Sequence, residues 1–81
     1  MALIVEVADS SLDFDTNEKR LIYAKAGLRE YWVVDINGRR LLAYRDPQAG
    51  DYPPPQVLGP NDAAAPLAAP SVSIRVADLL V

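Results

Sequence analysis

The chain contains no cysteine and no histidine. The first absence removes disulfides, thiolate nucleophiles and cysteine zinc sites together, and it fits a reducing compartment, with the cytoplasm as the default. The second leaves any acid–base or metal chemistry to carboxylates, lysine, tyrosine and backbone carbonyls. Oxygen donors of that kind suit a hard cation such as Mg²⁺ or Mn²⁺. Positive charge is also short: the formal net charge is −3, whereas nucleic-acid-binding domains are usually basic. No long hydrophobic run exists either. The apolar start "ALIV" is stopped by Glu6, so it reads as neither a secretory leader nor a membrane span, and a soluble protein without a membrane partner is expected. A Gly-rich phosphate loop, a nucleophilic serine triad and a dinucleotide fingerprint are all missing. With 81 residues, the chain is at most one small domain with a modest core.

What is present begins with "ALIVEVA" at residues 2–8, a run rich in β-branched residues that predicts a strand covered on both faces. "DSSLDFD" reads as a loop. Asp15 followed by Glu18 has the spacing of a capping box, which predicts a helix from about Thr16 to Ala26 with Gly27 as its stop. "EYWVVDI" and "RRLLAYR" flank Asn37 and Gly38, a pair that tolerates the positive φ angles of a two-residue hairpin turn. That turn would set Ile36 opposite Arg39, Asp35 opposite Arg40, Val34 opposite Leu41, Val33 opposite Leu42, Trp32 opposite Ala43, Tyr31 opposite Tyr44 and Glu30 opposite Arg45. Opposite charges and apolar pairs then fall together, as cross-strand energetics prefer.

All seven prolines follow residue 46, so residues 47–81 are expected to form a stiff, turn-rich wrap around a core made by residues 1–46. Within the wrap a short edge strand is predicted near Gln56 to Leu58, "NDAAAPLAAP" reads as a linker, and the alternation of Val72, Ile74 and Val76 predicts a last strand running into a helical turn.

Two charged residues stand where apolar ones are expected. Glu6 interrupts the first strand, and Lys19 lies thirteen positions on. On a helical wheel of about 100° per residue, Ile22, Tyr23 and Ala26 all fall within about 60° of Lys19. A lysine in the middle of an apolar stripe, and a glutamate in an apolar strand, are seldom buried without partners. Three readings are open. Glu6 can lie on an exposed strand face beside Ala2, Ile4 and Ala8 while Lys19 snorkels to water; the two can form a structural ion pair; or they can converge on a functional pocket.

The stretch "LIVEVADSSLDFDTNEKRLIYAKAGLREYWVVDINGRRLLAYRDP" resembles the C-terminal half of the Uma-type restriction endonuclease family, a branch of the PD-(D/E)xK nuclease superfamily. The likeness is close over residues 3 to 47 and looser beyond, where "VSIRVADLL" is similar to the family's ending. It implies an α/β, restriction-endonuclease-like core fragment: a strand, a packed helix, a β-hairpin and a proline-rich tail ending in a short strand. It also implies Mg²⁺-dependent hydrolysis of DNA phosphodiester bonds, with Glu6 as a metal ligand, Lys19 as the catalytic lysine migrated onto the helix, and the carbonyl of Val7 facing the metal. Position 8 holds alanine where the superfamily's usual spacing places lysine, so the migrated form is the one available. The family's upstream Pro-Asp pair has no counterpart ahead of Leu3, and a truncated domain with only latent activity is therefore expected.

Neighbouring residues have plainer readings. Tyr23, one turn beyond Lys19, either hydrogen-bonds into the site or packs in the core. Asp35 is expected to pair with Arg40 rather than with a metal. The alternative to a nuclease is a non-catalytic interaction module, in which exposed strand edges pair with another chain or a second copy.

Overall fold

A computed structural model describes residues 3–10 and 12–80. The expected strand start at residue 2 lies outside the described residues. The architecture is the α/β fold expected, in three layers. A four-stranded sheet is ordered β1 (Leu3–Ala8), β2 (Glu30–Asp35), β3 (Arg40–Arg45), β4 (Gln56–Leu58). One face carries a helical segment and the other is covered by the proline-rich second half of the chain.

β1 runs parallel to β2, with Glu6 beside Val33 and Val7 beside Val34. The side chains of Ile4 and Ala8 join Tyr31, Val33, Leu42, Tyr44 and Tyr52 in the core under the helix. This corrects the expectation of a strand buried on both sides. Val5 and Val7 are 44% and 61% exposed on the opposite face, because β1 is the edge strand and the wrap packs over β2 and β3, reaching only Leu3 of β1.

The helical segment starts earlier than the capping pattern predicts. α1 (Leu12–Phe14) runs into a π-helical turn (Asp15–Lys19) and then α2 (Arg20–Lys25). Asp15 is therefore inside the helical run and not its cap. Thr16 Oγ1 donates to the Leu12 carbonyl at 2.7 Å and the Asn17 amide to the Asp13 carbonyl at 2.8 Å. Such bonds from side chain to the preceding turn occupy acceptors that an α-helix would give to backbone amides, and they accompany the wider turn. The end is as expected. Gly27 has φ +77°, its amide donates to the Ala24 carbonyl, and the Leu28 amide donates to the Tyr23 carbonyl, which is the Schellman pattern. Leu28 and Tyr23 pack in the same cluster. The buried arc includes Tyr23 and Ala24, while Ile22 and Ala26 are exposed. Lys19 thus lies at the margin of the packed face, not in its middle.

The hairpin register is the predicted one from Asp35–Arg40 to Glu30–Arg45. The turn itself differs. Four residues, Ile36 to Arg39, make the connection, and the positive φ of +50° falls on Arg39 instead of on Asn37 or Gly38. Asp35 accounts for this. Its carboxylate fills the turn, accepting from the Gly38 amide at 3.0 Å and from Arg40 Nε at 2.8 Å, while the Asn37 amide reaches out to the Asp9 carbonyl. A Cβ on Gly38 would lie 2.2 Å from Asp35 Oδ2, so glycine is required there for space. Burial raises the Asp35 pKa, but the bonds from Arg40 and Gly38 outweigh it, and the net shift is downward.

In the second half, β4 forms where expected and pairs with β3. The predicted linker instead contains β5 (Ala63–Ala64), which pairs with β6 (Ile74–Arg75) ahead of α3 (Val76–Leu79). The last strand is thus shorter than the alternation implied, and Val72 is exposed. Ala64, Val76 and Leu80 close over Trp32, Val34, Leu41, Ala43 and Leu58. An ion pair with a buried carboxylate fixes this layer: Glu30, 1% exposed, accepts from Arg45 Nε at 2.5 Å, from Trp32 Nε1 at 2.7 Å and from the Leu67 amide at 2.7 Å. Arg45 also donates to the Ala65 carbonyl at 2.8 Å.

Candidate active site

The parallel register sets the side chain of Glu6 on the same face as its neighbour Val33, beneath the helical segment. The π-helical turn ends at Lys19. Strand and helix thereby deliver an acid and an amine to one place: Lys19 Nζ lies 3.3 Å from Glu6 Oε2. One turn later Tyr23 donates its hydroxyl to the other oxygen, Glu6 Oε1, at 3.2 Å. A Glu6 on an open strand face with Lys19 turned to water is thereby excluded, while the contact is common to the ion-pair and the pocket readings.

A fourth residue joins them. Asp15 Oδ1 lies 3.5 Å from Lys19 Nζ, and Asp15 is 2% exposed. The hydroxyl of Tyr31, fully buried on β2, donates to the Asp15 main-chain carbonyl at 2.9 Å. The Tyr23 and Tyr31 rings pack 4.9 Å apart, and Tyr31 continues into Tyr44 and Tyr52. Sequence reasoning took Asp15 for a helix cap; the signal available was its i,i+4 spacing from Lys19. Val7, the remaining predicted site residue, pairs with Val34 in the ladder and points its side chain to the opposite face.

The electrostatics follow from these contacts. Burial lowers the pKa of Lys19, but the hydrogen bond and charge of Glu6 and the charge of Asp15 outweigh it, so its net shift is upward. The amine is a permanent cation at neutral pH and not a base. Burial, followed by the charge and hydrogen bond of Glu6, pushes the Tyr23 hydroxyl up as well, which keeps it a hydrogen-bond donor. The Glu6 and Lys19 side chains are 28% and 30% exposed. No enclosed pocket surrounds them among the described residues, and both side chains stay partly open to solvent.

Among the described residues no group of three acidic or other ligating side chains stands close enough to hold a metal on its own. The donor type nevertheless fits a hard cation, since Glu6 presents a reachable carboxylate. Mg²⁺ is commonly held by one or two carboxylates, with waters and substrate phosphates completing its shell. Glu6 can serve as one such ligand.

A sheet with a parallel edge strand, a helix behind it and a carboxylate–lysine pair between them is the frame of a restriction-endonuclease-like fragment. The model of the Uma2 family, described as "Putative restriction endonuclease", matches residues 1–77, and the chain belongs to that family. The match runs well past the stretch of close likeness at residues 3–47 and takes in the proline-rich wrap. Comparison with curated proteins and with solved structures gives no match. No helix among the described residues is long and apolar enough to cross a membrane.

Proposed function

We propose that the chain carries the site of a metal-dependent endonuclease acting on DNA, in a cytoplasmic setting, with Glu6 as metal ligand and Lys19 as catalytic lysine. The observation that supports this reading is the 3.3 Å approach of the Glu6 carboxylate to the Lys19 ammonium at a solvent-reachable edge of the sheet, in a chain of a nuclease-like family. Glu6 and the Val7 carbonyl would hold Mg²⁺ or Mn²⁺. When bound, such an ion lowers the pKa of a water and polarises a phosphoryl oxygen. The protein's own groups do the rest. Tyr23 donates to Glu6 Oε1 and so helps to orient the carboxylate. Lys19, held charged, orients the attacking water and offsets the negative charge that grows on the phosphate. With a net charge of −3, the chain lacks an electrostatic funnel of its own for DNA.

The test is nicking of supercoiled plasmid with Mg²⁺. Activity is expected to vanish with chelator and to fall about 100-fold or more in Lys19→Ala and in Glu6→Ala. Activity indifferent to chelator contradicts the reading.

A second reading is favoured by one observation, the exposed Val5 and Val7 on the edge strand β1. An edge strand whose outward face is apolar and which carries no lysine or proline is a surface for pairing. In that case the chain is an interaction or homo-oligomerisation module. Its oligomer mass would then persist through both site substitutions and be lost in Val7→Lys.

A further inference from the structure

We infer that Asp15 is a positioning residue for Lys19: from the π-helical turn it holds the ammonium against the Glu6 carboxylate. The inference rests on the proposed role of the Glu6–Lys19 pair. A lysine side chain has a long flexible stem to immobilise, and one contact with a part-exposed carboxylate offsets that loss only in part. Glu6 alone would leave the amine mobile. Asp15 supplies the second contact, 3.5 Å away, from a side chain that is itself buried.

The anchor is in turn anchored. Tyr31 is fully buried on the central strand β2 and grips the Asp15 carbonyl, while Thr16 and Asn17 fasten the turn to the carbonyls of Leu12 and Asp13. The Phe14 ring, centred 5.7 Å from Lys19 Nζ, bounds the amine on a further side within the range of a cation–π contact. A continuous path therefore runs from β2 through Tyr31, Asp15 and Lys19 to Glu6 on β1. Asp15 touches no substrate along it; it acts through Lys19.

Lys19 and Lys25 are the chain's two lysines, and Lys25 is exposed, which provides an internal reference. The experiment measures the NMR order of both ammonium groups in protein free of metal and DNA, at mildly acid pH where both are fully protonated. In the native chain Lys19 is expected to be clearly more ordered than Lys25. In Asp15→Asn its order falls to the Lys25 level, and in Asp15→Glu it is largely restored. In Glu6→Gln it persists, because Asp15 still holds the amine; this arm decides the matter should Asp15→Asn fail to fold. Plasmid nicking by Asp15→Asn is expected to lose about tenfold in kcat with KM little changed. A Lys19 as ordered in Asp15→Asn as in the native chain, or disordered in Glu6→Gln, overturns the inference. Absence of Mg²⁺-dependent nicking by the native chain, with the order results as expected, overturns the nuclease reading and leaves the positioning intact.

Discussion

The two faces of the sheet each carry a carboxylate paired with a cation, and the two carboxylates differ in how far they are open to solvent. On the wrap face Glu30 is 1% exposed and its two oxygens accept from Arg45, Trp32 and the Leu67 amide. Nothing further can approach it. On the helix face Glu6 meets Lys19 and Tyr23 while remaining about a quarter exposed. A sealed pair spends its hydrogen-bonding capacity on the fold. An open one keeps capacity for a ligand, and its contribution to stability is correspondingly small.

That contrast can be broken by substitution, and the largest effect is expected on the sealed side. Glu30→Ala removes the acceptor shared by Arg45 Nε, Trp32 Nε1 and the Leu67 amide and leaves a gap in their place, at a cost of about 2–4 kcal/mol. Against a whole stability on the order of 5–10 kcal/mol, chemical denaturation is expected to show a folded variant with its midpoint strongly lowered. A loss under 1 kcal/mol would mean that the wrap does not depend on this ion pair.

Gly38→Ala comes next. The new methyl carbon would meet Asp35 Oδ2 at 2.2 Å, and displacing that carboxylate disturbs its bonds to Gly38 and Arg40, for a loss of about 1–3 kcal/mol in the same measurement. The effect sharpens the comparison, because Asp35 is a third carboxylate, one that is buried and bonded into the hairpin turn. Smallest is the open side. Glu6→Gln and Lys19→Met are each expected to leave the denaturation midpoint nearly unchanged, while both abolish nicking. A loss in either variant as large as that in Glu30→Ala would make the Glu6–Lys19 pair structural too.

The hairpin was legible in the sequence because two independent signals agreed. Asn37–Gly38 marks the midpoint, and the charges and apolar residues on either side match in one register only. The turn inside it was not legible. A four-residue loop centred on the same pair preserves the register, and the choice between two and four residues is made by the Asp35 carboxylate. Asp15 misled in a similar way, since a residue type that caps a helix also occurs inside one, here where Lys19 one turn on meets its carboxylate. β5 left no trace in "NDAAAPLAAP", because alanine and proline carry no alternation and the strand exists only through its pairing with β6.

Of the site, the placement of Glu6 and Lys19 on successive elements was readable, and the family resemblance assigned them roles. Their approach depends on a helical segment whose burial the wheel got only partly right, since Ile22 faces solvent. The sealing of Glu30 was beyond sequence altogether: Leu67, one of its donors, lies 37 residues away in a proline-rich stretch without regular structure.

The central claim is that Glu6 is open to a ligand and Glu30 is not. Titration of Mn²⁺ into isotopically labelled protein, followed by paramagnetic broadening of its amide signals, tests this directly. Broadening is expected to concentrate on Glu6, Val7, Ala8 and Tyr23, to spare Glu30 and Arg45, and to disappear in Glu6→Gln. Broadening centred on Asp9 and Asp13 that survives Glu6→Gln, or none at all in the folded chain, would contradict the account.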